Sequence, residues 1–185
     1  MSLVAILPPA FDVDVALAYA TADNFTGQPV YARADCWLHG EAAAHLSRAI
    51  SLAAALGLRL RIFDAFRPQE AQRLLWNHTP DPEFLADPKS GSTHSRGVAV
   101  DLTLIDGNGQ ALDMGTGFDA FTPLSHHGNQ TISTEAQKNR FLLQGIMTTA
   151  GWAFYASEWW HYQLFNAHGR FPLLSDSILP RPMLG

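Results

Sequence analysis

The chain has 185 residues, 47% hydrophobic and 16% charged, with 12 Lys+Arg against 17 Asp+Glu for a formal net charge of −5. The length suits one domain with a buried core, and the low charged fraction excludes a disordered, solvated chain. Only Lys89 and Lys138 are lysines, and the arginines are scattered, which excludes a broad nucleic-acid footprint. A single Cys beside eight His rules out an internal disulfide and a cysteine-rich zinc site, so any metal must be held by His and carboxylates.

The N-terminus has no basic region, and Pro8-Pro9 cut short the apolar run from Leu3 to Leu7, so no signal peptide is expected. No stretch approaches the ~20 apolar residues of a membrane span. The expectation is a cytoplasmic chain, one domain over residues 1–185, without membrane or nucleic-acid partners. Its oligomeric state is not legible.

In chain order, Glu41 to Leu56 is Ala- and Leu-rich and stops at Gly57, which predicts a helix with a C-terminal glycine. Leu58 to Phe63 alternates apolar and basic residues, a strand pattern. Pro68 to Asn77 reads as a helix with proline in its first turn. Val98 to Leu104 is β-branched and alternating, another strand. Asp106 to Ser133 has little periodicity and holds five Gly, and loops of that length are often functional. Glu135 to Ala150 is a helix with Ser133 or Thr134 as N-cap and Gly151 behind it. Trp152 to Tyr155 and Trp159 to Leu164 form a closing pair of strands. Without strict βαβ alternation, these elements predict an α+β fold: a mostly antiparallel sheet flanked by helices.

Phosphate loops, dinucleotide fingerprints, G-x-S-x-G elbows and H-E-x-x-H helices are absent. Two segments concentrate reactive side chains. In the first, Ser92-Thr93-His94-Ser95-Arg96-Gly97 leads into a strand where Asp101 takes a position expected to be apolar. Burying that carboxylate is costly unless it is paired or binds a metal; an outward-facing Asp101 is the plain alternative. The second, Ser157-Glu158-Trp159-Trp160-His161-Tyr162, sets a carboxylate and an imidazole among aromatics, and its plain alternative is a core strand with a satisfied histidine. Two His and one carboxylate with one open position is the ligand count of a catalytic zinc site, which leaves Glu158 as a general base. On a regular strand Glu158 and His161 face opposite ways, so their convergence needs a bulge. His126 and His127 in the long loop, and His39, His45, His78 and His168, read as surface residues. Cys36 reads as a buried small residue.

These segments resemble the zinc D-alanyl-D-alanine dipeptidases, which include the VanX-type enzymes. The resemblance extends through Tyr19-Ala20-Thr21-Ala22-Asp23-Asn24-Phe25-Thr26-Gly27, Asp64-Ala65-Phe66-Arg67-Pro68, Met114-Gly115-Thr116-Gly117-Phe118-Asp119 and Ser125-His126-His127. It covers about Tyr19 to His161, with Thr93 and Phe66 as small departures from the VanX-type pattern. It implies a D,D-peptidase/Hedgehog-like fold and one Zn2+ per chain held by His94, Asp101 and His161. It implies Glu158 as catalytic base and Arg67 as stabiliser of the tetrahedral intermediate. Tyr19, Ser92 and Asp119 become substrate contacts, and Asp64 a support for Arg67. The implied partner is the small dipeptide D-Ala-D-Ala. Two other readings compete: a D,D-carboxypeptidase on longer peptidoglycan peptides, and a zinc-binding interaction domain without catalysis.

Overall fold

The computed structural model describes residues 2–185. Seven strands and four helices form the fold: β1 (Leu3–Ala5), β2 (Val13–Val15), β3 (Trp37–His39), α1 (Gly40–Ala54), β4 (Arg59–Asp64), α2 (Gln69–His78), β5 (Ala99–Ile105), α3 (Thr134–Thr149), β6 (Ala153–Tyr155), β7 (Glu158–Gln163) and α4 (Ala167–Arg170). A five-stranded sheet runs β2-β4-β5-β7-β6, and a separate ribbon pairs β1 with β3. Only the edge pair β2–β4 is parallel; β4–β5, β5–β7 and β7–β6 are antiparallel. This is the expected mostly antiparallel α+β sheet. The three strands that the sequence patterns miss, β1, β2 and β3, are three residues each, too short for alternation to register.

Helix α1 buries Ala42, Ala43, Leu46, Ala49 and Ala53, a 3–4 spacing that forms one apolar stripe. Small residues on that stripe let it pack closely on α3 and β4. Ser133 caps α3 as expected, its hydroxyl accepting from the Ala136 N–H. Instead of lying free on the surface, His39 caps α1, with Nδ1 accepting from the Glu41 N–H.

Strand β5 sits at the centre, and all seven of its residues are buried. Val100, Leu102 and Leu104 point into the main core, with Leu60 and Ile62 of β4 and Trp160 and Tyr162 of β7 in the same cluster. The alternate face carries Asp101. Strand pleat thus separates core from chemistry along one element. Gly97 enters β5 at φ +69°, and a Cβ there would meet Leu3 Cδ2 at 2.7 Å and the His39 nitrogen at 3.3 Å. That close approach lets the β1–β3 ribbon seat against the turn carrying His94, where the His39 N–H donates to the Gly97 carbonyl.

Candidate active site

Three strands deliver the site. Antiparallel register sets Asp101 opposite His161 on β7 and opposite Asp64 at the end of β4. His94 stands on a single 3₁₀ turn, His94–Arg96, just before β5. Arg67 follows β4 by three residues. All of these side chains are buried, Asp64 completely. Asp101 therefore does not take the outward orientation that its segment alone leaves open.

His94 Nε2, His161 Nδ1 and the Asp101 carboxylate converge, with all three donor atoms within 4.8 Å of one another. His94 Nε2 lies 3.1 Å from His161 Nδ1 and 3.3 Å from Asp101 Oδ2, and His161 Nδ1 lies 3.1 Å from Asp101 Oδ1. The outer hydrogen bonds bear on the tautomers. His94 Nδ1 is 2.7 Å from the Ala65 carbonyl, which can only accept, so Nδ1 carries the proton and Nε2 a lone pair. His161 Nε2 lies 3.0 Å from Gln163 Oε1, so a proton on Nε2 has an acceptor there and Nδ1 is free to present a lone pair when the cluster holds a cation. Gln163 is held in turn by the Thr93 hydroxyl, which donates to the same oxygen. In that form two imidazole lone pairs and a carboxylate face one another with no proton assigned among them. That donor set fits a cation, and neutral His nitrogens with their far N–H groups anchored are the usual metal-binding form. Burial alone would lift the Asp101 carboxyl; in the metal-free cluster, positive charge on His94 and then His161 outweighs burial and holds it well below the usual carboxylate range.

Glu158 opens β7, and its Oε2 lies 3.8 Å from His161 Nδ1. The required irregularity is present: Phe154 pairs with Tyr162 but Tyr155 pairs with Glu158, so Trp159, Trp160 and His161 bulge out of the β6 register. The bulge turns Glu158 and His161 to the same side. Burial, with Asp101 and Asp119 nearby, raises the Glu158 carboxyl well above its ordinary value.

Arg67 donates from Nε to Asp64 Oδ2 at 2.7 Å and from Nη1 to Gln72 Oε1 at 2.9 Å, and Nη2 reaches Asp101 Oδ2 at 3.5 Å. The Tyr31 hydroxyl fixes the other Asp64 oxygen at 2.9 Å. Asp64 thus holds the Arg67 guanidinium on one side and is itself held by Tyr31 on the other. Across the pocket the Tyr19 hydroxyl donates to Asp119 Oδ2 at 2.8 Å. Burial first, then the Asp101 charge, pushes the Asp119 carboxyl up to about 8. The Ser92 hydroxyl accepts from the His94 N–H, and its side chain lines the same pocket.

The three donor residues, Glu158, Arg67, Tyr19, Asp119 and Ser92 border one cavity of about 220 Å3. Its roof is the segment from Pro82 to Ala86. Phe84 stacks on Phe121 with centroids 5.1 Å apart, the Tyr155 hydroxyl donates to the Glu83 carbonyl, and the Gln72 amide donates to the Ala86 carbonyl at 2.8 Å. His168 is exposed, as expected, beside the cavity, whereas the loop histidines His126 and His127 are only half-exposed. His127 packs against Phe154 and Tyr162, where burial pulls its pKa down to about 4. His126 Nε2 lies 3.1 Å from a Glu83 carboxylate oxygen, which ties the long loop to the roof.

Of the residues singled out from the sequence, His94, Asp101, His161, Glu158, Arg67, Tyr19, Ser92 and Asp119 border the cavity, and Asp64 lies buried behind Arg67. Sequence reasoning misses Gln163, Gln72 and the roof, whose partners are set by tertiary contact. It also misses Arg140, although a signal was present. Ala136, Arg140, Leu143 and Met147 fall on one helical stripe, so a charge stood on the core face of α3.

A three-donor His/Asp cluster, a buried carboxylate and a buried guanidinium on one small cavity are the parts of a metallopeptidase site. Residues 3–180 match the family described as D-ala-D-ala dipeptidase, and the chain belongs to it. It is 47% identical over 167 residues to the D-alanyl-D-alanine dipeptidase of Escherichia coli, covering 90% of this chain and 86% of that protein. The D-alanyl-D-alanine dipeptidases of Streptomyces coelicolor and Enterococcus faecium are 38% and 36% identical, each across 79% of this chain and 83% of theirs.

Proposed function

We propose that the protein hydrolyses the peptide bond of free D-Ala-D-Ala to two D-alanines, with one Zn2+ held by His94 Nε2, Asp101 and His161 Nδ1. The observation that carries this reading is the pairing on one cavity of an open His/Asp/His donor set with Glu158 on one side and Asp119 on the other. The choice of D-Ala-D-Ala follows the named substrate of the relatives. Bound zinc supplies Lewis acidity to the scissile carbonyl and acidifies a water near neutral pH.

The chain's own residues do the rest. Glu158 takes a proton from the attacking water and returns it to the leaving amine nitrogen. Arg67, clamped by Asp64 and Gln72, presents its remaining N–H to the carbonyl oxygen as negative charge grows there. Because the guanidinium is already oriented, little reorganisation is needed in the transition state. Asp119, oriented by Tyr19, meets the substrate ammonium, whose positive charge draws the carboxyl into its ionised form, and Ser92 offers a hydroxyl to the substrate's polar groups. A cavity of about 220 Å3 bordered by the Pro82–Ala86 segment suits a dipeptide better than the longer peptides of a D,D-carboxypeptidase. Glu158 and Arg67 have no use in a purely structural zinc domain.

The test is amine release from D-Ala-D-Ala, L-Ala-L-Ala, N-acetyl-D-Ala-D-Ala and a longer peptide ending in D-Ala-D-Ala, with and without chelator. The expected result is zinc-dependent cleavage of D-Ala-D-Ala alone. Equal cleavage of the N-acylated compound overturns the role of Asp119, and preference for the longer peptide overturns the dipeptidase reading.

A further inference from the structure

Asp119 has φ +56°, and Asn166 is the only other non-glycine residue with positive φ among the described residues. A left-handed Asp costs on the order of 1 kcal/mol and persists only where its surroundings over-determine it. The surroundings lead to Arg140. Its side chain comes up from the core stripe of α3 and is buried. Nε donates to the Met114 carbonyl at 2.6 Å, and Nη1 donates to the Leu124 and His126 carbonyls at 2.9 and 3.0 Å. Nη2 reaches the Thr116 hydroxyl at 3.5 Å, and the guanidinium lies over the Trp159 ring.

One cation thus ties both ends of the loop 114–126, with Asp119 between them. Thr116 continues the network: it accepts from Trp159 Nε1 at 2.8 Å and meets the Ser125 hydroxyl at 3.1 Å. Ser125 donates to the carbonyl of Ala120, the residue after Asp119, at 2.6 Å. Among the described residues Arg140 has no carboxylate within ion-pair distance. A buried arginine paired with carbonyls alone is expensive where a leucine would pack on the same stripe. Its guanidinium fork can bind three carbonyls at once, which neither lysine nor an apolar side chain can do.

We propose that Arg140 is a positioning residue for substrate recognition: by clamping the two ends of the 114–126 loop, it holds Asp119 in the conformation that meets the ammonium of a free dipeptide. This rests on the reading of Asp119 as the ammonium partner. Arg140 touches neither the metal-donor cluster nor Glu158, so its loss should be felt in binding.

The experiment measures KM and kcat for D-Ala-D-Ala, and zinc affinity by chelator competition, in Arg140→Gln, Arg140→Lys, Asp119→Ala and the doubles. Both Arg140 variants should raise KM, Arg140→Gln by on the order of tenfold, with Arg140→Lys between it and wild type. Their kcat and zinc affinity should stay within about twofold to threefold of wild type, the spread expected of an interaction outside the chemical step. On the Asp119→Ala background the arginine change should add nothing to KM, because its effect is already gone. If Asp119→Ala leaves KM unchanged, the ammonium reading fails and the Arg140 proposal with it. If Asp119→Ala raises KM but the Arg140 variants do not, or if their effects add in full, only the positioning proposal fails. If neither Arg140 variant folds, the arginine serves the fold as a whole and the proposal is overturned.

Discussion

Replacing Gln163 by Leu tests the tautomer argument at the metal-donor cluster. Gln163 Oε1 accepts from His161 Nε2 and from the Thr93 hydroxyl, both at 3.0 Å. Leucine removes the acceptor from both. A buried N–H left without a partner costs about 1–3 kcal/mol, and His161 has an escape: it can move its proton to Nδ1 and donate to Asp101 Oδ1, 3.1 Å away. The escape stabilises the metal-free protein with the proton on the nitrogen that must bind metal. Zinc then has to reverse the tautomer, so affinity should fall by about 10–100-fold, the usual loss when the partner of a metal-binding His is removed, or about 1.4–2.7 kcal/mol. Gln163→Glu keeps an acceptor and should hold affinity at or above wild type. The assay is zinc competition with a chelating dye at constant pH, alongside thermal denaturation of metal-free protein as a control for folding. If Gln163→Leu binds zinc within twofold of wild type while His161→Ala does not bind it, the tautomer reasoning is wrong.

Glu158→Gln should retain zinc and lose turnover by about 10²–10⁴, the range for a general base; near-wild-type rates would show that another group moves the proton. Asp119 gives a pH prediction for the metal-free protein. Its folded pKa of about 8 lies above the ~3.9 of an unfolded Asp, so the folded state binds the extra proton. Its contribution is present in full below about pH 4 and is lost as pH rises through about 8. Urea unfolding of chelated protein at pH 5, 6 and 7 should therefore show a steeper decline in wild type than in Asp119→Asn, and parallel curves would refute the shift.

The long elements were legible because their patterns are local. The Ala-rich stripe of α1, the Ser133 cap of α3 and the alternation through Val98–Leu104 need no distant partner to be recognised. Asp101 was legible as an anomaly, a charge inside an apolar strand, although its own segment could not decide between an inward and an outward face. Register against His161 decided it, and register is a tertiary fact. The β7 bulge could be required by chemistry but not located by pattern. The three-residue strands stayed hidden because β2 and the β1–β3 ribbon exist only through pairing with residues more than 30 positions away. The roof was invisible for the same reason: Pro82, Glu83 and Phe84 have no period, and their role follows from Phe121, Tyr155 and Gln72.

Gln72 joins two things that are usually separate in a peptidase. Its carbonyl oxygen receives Arg67 Nη1, and its amide nitrogen donates to Ala86 in the roof. Lifting the roof pulls on the same side chain that orients the guanidinium. A ligand that displaces Pro82–Ala86 would therefore also disturb the hydrogen bond that orients Arg67, so the two ends of the cavity answer to one amide.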